Sequence, residues 1–135
     1  MPTVVLTPLK NIISLHRRAQ LSVRNYIFKE RFLTLKDVIY AFGHKKRVKK
    51  IIIQKISLLG YEFSNLVEEE LNNHADINTV IESILTYRFI AKFHQAGKQV
   101  RLAIDWFEGQ ALDKAWNMGF NNYFPNTKTI GYCKG

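Results

Sequence analysis

Cysteine occurs once, at Cys133, so no disulfide can form within the chain and a reducing, cytoplasmic setting is expected. No stretch approaches the ~18 consecutive apolar residues that a membrane-spanning helix requires. The opening residues, MPTVVLTPLKNIISLHRR, have no cationic segment ahead of their apolar ones, so a secretory signal is not expected. Internal repeats, low-complexity tracts and linkers rich in Gly, Pro or Ser are missing as well. The motifs GxGxxG, GxxxxGK[ST] and GxSxG are absent, which removes the usual signatures of dinucleotide, P-loop and hydrolase chemistry. His16, His44, His74 and His94 lie far apart, and neither HExxH nor paired CxxC spacing occurs. No metal and no cofactor is therefore expected.

Acids are scarce in the first part of the chain. Residues 1–55 contain 13 Lys/Arg against only Glu30 and Asp37, a balance of +11, whereas residues 56–135 come to −2. The excess favours a phosphate-bearing partner: nucleic acid, lipid head groups or a nucleotide-linked substrate. The run His44-Lys45-Lys46-Arg47-Val48-Lys49-Lys50 can grip phosphate, although a solvated basic helix face is the commoner use of such a run. No aromatic residues interleave with it and no nucleic-acid module is recognisable, so nucleic acid is the minor reading.

A hydrophobic fraction of 47% in 135 residues suits one ordinary globular domain or part of one. Residues 9–33 place Ile12, Leu15, Ala19, Val23 and Tyr26 at helical spacing, and TLKDVIYAF reads as a short helix between Thr34 and Gly43. Residues 44–60 fit either a strand at Ile51-Ile52-Ile53 or a helical stripe, and helix is preferred over much of them. Asn65 with Glu68, and Thr79 with Glu82, have capping-box spacing, which puts Glu68, Glu69 and Glu70 in a first helical turn. A long helix follows with Val80, Ile84, Tyr87 and Ala91 on one face, ending at Gly97 with His94 as a partner for its dipole. QVRLAID is then a strand, GQALDKAWNMG a helix stopped at Gly119 with Leu112 and Trp116 facing the sheet, and TKTIGYC a second strand. This rhythm predicts a parallel βαβ unit over about 99–133, hence a helix-rich α/β fold. The chain divides into a basic, mainly helical segment, 1–60, and an α/β segment, 61–135.

Ligands in such sheets bind beyond the carboxyl ends of the strands. DWFEGQ, residues 105–110, occupies that place and is the best site candidate. Asp105 and Glu108 are the candidate catalytic carboxylates, able to act as acid and base or to accept from sugar hydroxyls. The alternative for Glu108 is to cap the helix beginning near Gly109. Trp106 and Phe107 can wall a pocket for a sugar or base, or simply pack the strand end.

The segments GYEFSNLVEEEL, IDWFEGQALDKAWNMGF and YFPNTKTIGYCKG together resemble bacterial surface-polysaccharide biosynthesis proteins, relatives of GT-B glycosyltransferases acting on capsule or O-antigen. The residues that carry the resemblance are Trp106, Phe107, Glu108, Gln110, Gly119, Phe120, Tyr123, Phe124, Pro125, Gly131 and Tyr132. Gly109, where that pattern has Asn, and Cys133-Lys134 depart from it. The resemblance covers about the last 75 residues and implies a partial Rossmann-like parallel sheet, half of a GT-B enzyme whose second domain or subunit completes the cleft. It assigns Glu108 and Asp105 to catalysis, Trp106 to sugar stacking, Gln110 to orienting substrate, and Tyr61 and Ser64 to the border of the cleft. The implied partners are a sugar substrate or lipid-linked acceptor, with the basic part facing the inner membrane surface. The chain on its own is then an acceptor-side portion without transfer activity. The rival reading is a small basic α/β module for a polyanionic partner.

Overall fold

The structure, a computed structural model, describes residues 3–5, 12–22, 26–73 and 77–132. It is a mixed helix and strand fold with small parallel sheets. Strand β1 (Thr3–Val5), helix α1 (Ile12–Gln20) and β2 (Tyr26–Phe28) come first, and β2 runs parallel to β1. A 3-10 turn at Lys29–Arg31 leads to α2 (Leu35–Phe42) and α3 (His44–Val48), which are separated only by Gly43. The hairpin β3 (Ser57–Leu58) and β4 (Tyr61–Glu62) precedes α4 (Ser64–Asn73) and α5 (Ile77–Gln95). The chain closes with β5 (Leu102–Trp106), α6 (Ala111–Tyr123) and β6 (Lys128–Tyr132).

Strands β5 and β6 are parallel, with Ile104 opposite Ile130 and Trp106 opposite Tyr132, and α6 connects them. That is the arrangement expected from two apolar runs flanking a helical segment. The amphipathic stretch 9–33, in contrast, is not one helix. Helix α1 covers only Ile12–Gln20, and Tyr26–Phe28 pairs instead with Thr3–Val5. A ladder to a distant segment outweighs local periodicity there, and Ile27 joins the main core. Residues 44–60 are mostly not helical either. Five residues form α3, Ile51-Ile52 are exposed and irregular, and a hairpin follows. Without a face to bury, the isoleucine run gains nothing from continuing the helix.

Helix α5 forms the centre. Its Phe89 and Ile90 are buried with Ala103 of β5, Trp116 and Phe120 of α6, and Phe124, while Ile81 and Leu85 pack with Ala41 of α2. The face assigned from spacing is displaced, because Val80, Ile84, Tyr87 and Ala91 are only half-buried. A helix with neighbours on several sides has no single apolar stripe. Asn65 and Thr79 are not caps, since their helices begin at Ser64 and Ile77; Glu68, Glu69 and Glu70 fall beyond the first turn. Gly97 does end α5, where the Lys98 amide donates to the Phe93 carbonyl at 3.3 Å. Near that end, the His94 ring stands edge-on to Phe124 at 5.1 Å.

Gly119 does not stop α6, which continues to Tyr123. It allows the helix to approach α5: a Cβ at Gly119 would lie 2.6 Å from Cδ1 and 3.1 Å from Cβ of Ile90. Trp116, on the sheet-facing side as expected, is buried and packs against Phe120 with the rings tilted by 56° and their centroids 4.9 Å apart.

Two ion pairs attach the N-terminal elements to α5. Buried Lys29 donates to Glu82, and Arg88 Nε donates to Oδ1 of fully buried Asp37 at 2.5 Å. The other Asp37 oxygen accepts from the Thr34 amide at 2.8 Å and hydroxyl at 2.6 Å, so Thr34 begins α2 as its spacing predicts. Burial alone would push the Asp37 carboxyl up, but the Thr34 hydrogen bonds and the Arg88 guanidinium hold it down to about 2.

Two measurements check this packing. Gly119→Ala should destabilise the protein by about 1–3 kcal/mol, and Ile90→Val in the same chain should recover part of that loss, a coupling that a double-mutant cycle in urea would detect. The depressed acidity of Asp37 stabilises the folded state fully above the ordinary carboxyl value of 3.8, and this contribution disappears as pH falls towards about 2. It amounts to about 2 kcal/mol, and Asp37→Asn should abolish that part of the acid dependence of the urea midpoint.

Candidate functional site

The DWFEGQ segment leaves the carboxyl end of β5 and enters α6, the position from which ligands meet parallel sheets. Asp105 is opposite Gly131 in the ladder and half-buried, one residue after exposed Ile104. Strand alternation therefore turns its carboxylate towards the helical layer. Trp106 occupies the last ladder position, opposite Tyr132, and its side chain lies outside the described part of the structure. The Phe107 amide donates to the Tyr132 carbonyl at 2.9 Å and prolongs the ladder by one bond. Its ring begins over Gly131, where an added Cβ would stand 3.0 Å from Phe107 Cβ.

Glu108 and Gln110 are exposed and bonded to each other, Gln110 Nε2 donating to Glu108 Oε2 at 2.9 Å. Between them Gly109 has φ +75, the left-handed conformation that favours glycine and, after it, Asn and Asp. Gly109 thus keeps the turn that Asn would make, while leaving out one amide side chain. The helix is not capped by the Glu108 side chain. Asp113, buried in the first turn of α6, accepts from the Glu108 amide at 2.8 Å and the Gln110 amide at 2.9 Å. This frees the Glu108 carboxylate from capping and fixes the turn beneath it. Sequence reasoning passed over Asp113, although Gln110 and Asp113 have the spacing of a cap and its third helical residue.

Tyr61 and Ser64 are elsewhere in the chain's packing. Tyr61 is exposed in β4, and Ser64 Oγ accepts from the Ile56 amide at 3.0 Å at the start of α4. Neither β4 nor α4 is among the elements that pack extensively on β5 or α6. The strand-end turn therefore brings together Glu108 and Gln110, while Asp105, on the strand before them, turns towards the helical layer, and the close packing does not add Tyr61 and Ser64.

Among the described residues, no group of three or more His, Cys, Asp or Glu is placed to hold a metal ion. Cys133 and His74 lie outside the described residues. A second polar cluster sits where α5 meets α6, and there Asn122 Nδ2 donates to the Tyr87 hydroxyl at 3.0 Å. Hydrogen bonds from Tyr123, then Asn122, push the Tyr87 phenol below its ordinary value, while the bond to Tyr87 raises that of Tyr123. These bonds order the contact between α5 and α6.

The chemistry available at the turn is that of an exposed carboxylate held beside an amide: it can accept from two neighbouring hydroxyls or take up a proton. Comparison with protein-family models, with curated proteins and with solved structures found no match to this chain.

The turn's architecture can be checked through Asp113. Asp113→Ala should lower stability by about 1–2 kcal/mol, because two amides lose their acceptor, whereas Glu108→Ala should change it by less than about 0.5 kcal/mol. Paired urea titrations would distinguish the two.

Proposed function

We propose that this chain is the acceptor-side portion of a glycosyltransferase-like protein of bacterial surface-polysaccharide biosynthesis, with the DWFEGQ turn as its sugar-facing site. The observation that carries the reading is the exposed Glu108 carboxylate at the carboxyl end of a parallel strand, bonded to the N-cap residue Gln110 and itself not used in capping. The resemblance of Trp106, Phe107, Glu108 and Gln110, and of the run from Gly119 to Tyr132, to proteins of that class supports it. The parallel β5–α6–β6 unit is compatible with part of a Rossmann-like sheet, to which a second domain or subunit would add the remaining wall of the cleft.

In this reading Glu108 accepts a hydroxyl hydrogen of the acceptor sugar and can serve as base. Gln110 orients the carboxylate, and Trp106 provides the stacking wall. The excess positive charge of residues 1–55 suits a phospholipid surface or a lipid-linked pyrophosphate acceptor, and supports a reading in which the protein works at the inner face of the membrane. No helix among the described residues is long and apolar enough to cross a membrane, so such an attachment would be peripheral.

Calorimetry with sugar nucleotides and polyprenyl-linked sugars tests the reading on the protein with its native flanking sequence. Binding should be present, and Glu108→Gln should weaken it at least tenfold while leaving the melting temperature unchanged, because an amide is a weaker acceptor and no base. The 135-residue chain alone should show no transfer. Absence of binding in the flanked protein, or turnover by the isolated chain, would contradict the proposal.

A further inference from the structure

Helix α2 has apolar residues on two sides. Ala41 and Val38 face α5, but Leu35, Ile39 and Phe42 are 74%, 64% and 64% exposed. Their spacing of four and three puts all three along one helix face. Immediately after them α3 presents Lys45 and Lys46, followed by Lys49 and Lys50, all exposed. Ile51 and Ile52 come next, the latter 89% exposed. From Val38 to Tyr61 the sequence has six Lys/Arg and no Asp or Glu. The nearest acid before this stretch, Asp37, is buried and bonded to Arg88.

Large apolar residues clustered on a surface and edged by charge of one sign mark an interaction site. We infer that the outer face of α2, with α3 and Ile51-Ile52, is an interfacial membrane-binding surface that seats on an anionic phospholipid bilayer. A bilayer supplies both complements together, a negative head-group layer for the lysines and acyl chains just beneath for Leu35, Ile39, Phe42, Ile51 and Ile52. Lysine stems lie along apolar surface while their ammonium groups remain in the head-group layer.

Nucleic acid would engage the lysines and leave the aliphatic side chains without a partner. Tyr40 is already occupied: the guanidinium of Arg47 lies 3.7 Å from its ring centroid and that of Arg88 4.5 Å. Arg47 also donates to the Tyr40 carbonyl at 2.5 Å, which anchors α3 to the end of α2. The surface is thus pre-shaped, with lysines, not arginines, left to meet phosphate.

The inference rests on the membrane-facing part of the proposed function and is independent of the sugar site. Co-sedimentation of the full chain with vesicles, read with no sugar present, separates the two. The chain should bind vesicles of phosphatidylglycerol and phosphatidylcholine in equal parts, and phosphatidylcholine alone far more weakly. Replacing Lys45, Lys46, Lys49 and Lys50 by Gln should weaken binding roughly fivefold per residue. Ile39→Ser with Phe42→Ser should weaken it about tenfold or more, without lowering the melting temperature, because both side chains are exposed. Three results would overturn the inference: equal binding to the two vesicle types or to neither, binding indifferent to Ile39→Ser with Phe42→Ser, or displacement of vesicles by duplex DNA at equal phosphate. A failure here would leave sugar binding in the calorimeter untouched, and failure there would leave vesicle binding standing.

Discussion

The approach of α6 to α5 at Gly119 and Ile90 sets the spacing on which the remaining packing depends. With no side chain at Gly119, the two helices come close enough for Trp116, Phe120 and Phe124 to reach Phe89, Phe93 and Ile90. That contact seals one face of β5 through Ala103 and so fixes where the strand ends and α6 begins. The other side of α5 then carries the N-terminal elements through Leu33, Ala41 and two ion pairs. A buried ion pair adds little net stability, but loss of one partner leaves an uncompensated charge, so Glu82 and Arg88 specify where those elements dock.

Legibility in the sequence followed the range of the forces involved. Thr34 and Gly43 bracket α2 as read, and β5–α6–β6 emerged from two apolar runs with a helical segment between them. These are decided by neighbours within a few residues, or by the geometry of a short crossover. The stretch 9–33 misled because its periodicity is local, whereas the parallel pairing of Tyr26–Phe28 with Thr3–Val5 is not. Helix α5 misled differently: apolar residues surround it, and only the position of its neighbours decides that Ile81, Leu85, Phe89 and Ile90 are inside. Gly119 reads as a stop signal in isolation and is an approach point once α5 is beside it.

The strand end that carries the candidate site was legible in the sequence, and the residue that accepts from the turn's amides was not. The end of β5 was identified from composition and rhythm, yet capping falls to Asp113, five residues from Glu108. The order of charges explains the difference. A carboxylate inside the first turn meets two unsatisfied amides without leaving the helix, and a carboxylate before it must bend back to do so. Glu108 is accordingly left facing solvent with Gln110. Parallel sheets are usually covered on both faces, whereas here Leu102, Ile104, Ile130 and Tyr132 are open on the side away from the helices.

The irregular segment 51–56 connects two bodies of structure that hold each other by other means. It is largely exposed, and its bonds are to residues close by in the chain: the Ile56 amide donates to Ser64 Oγ, the Ile56 carbonyl accepts from the Phe63 amide at 2.8 Å, and Lys55 pairs with Glu62 at 3.5 Å. On one side of it lie Lys29, Asp37 and Ala41, and on the other Glu82, Arg88, Ile81 and Leu85, their partners. The two sides are held together by those ion pairs and by the packing of α2 on α5, not by the local bonds of the connecting segment. A protease nick between Ile52 and Lys55 would accordingly yield two fragments that travel together as one particle and separate only when denatured.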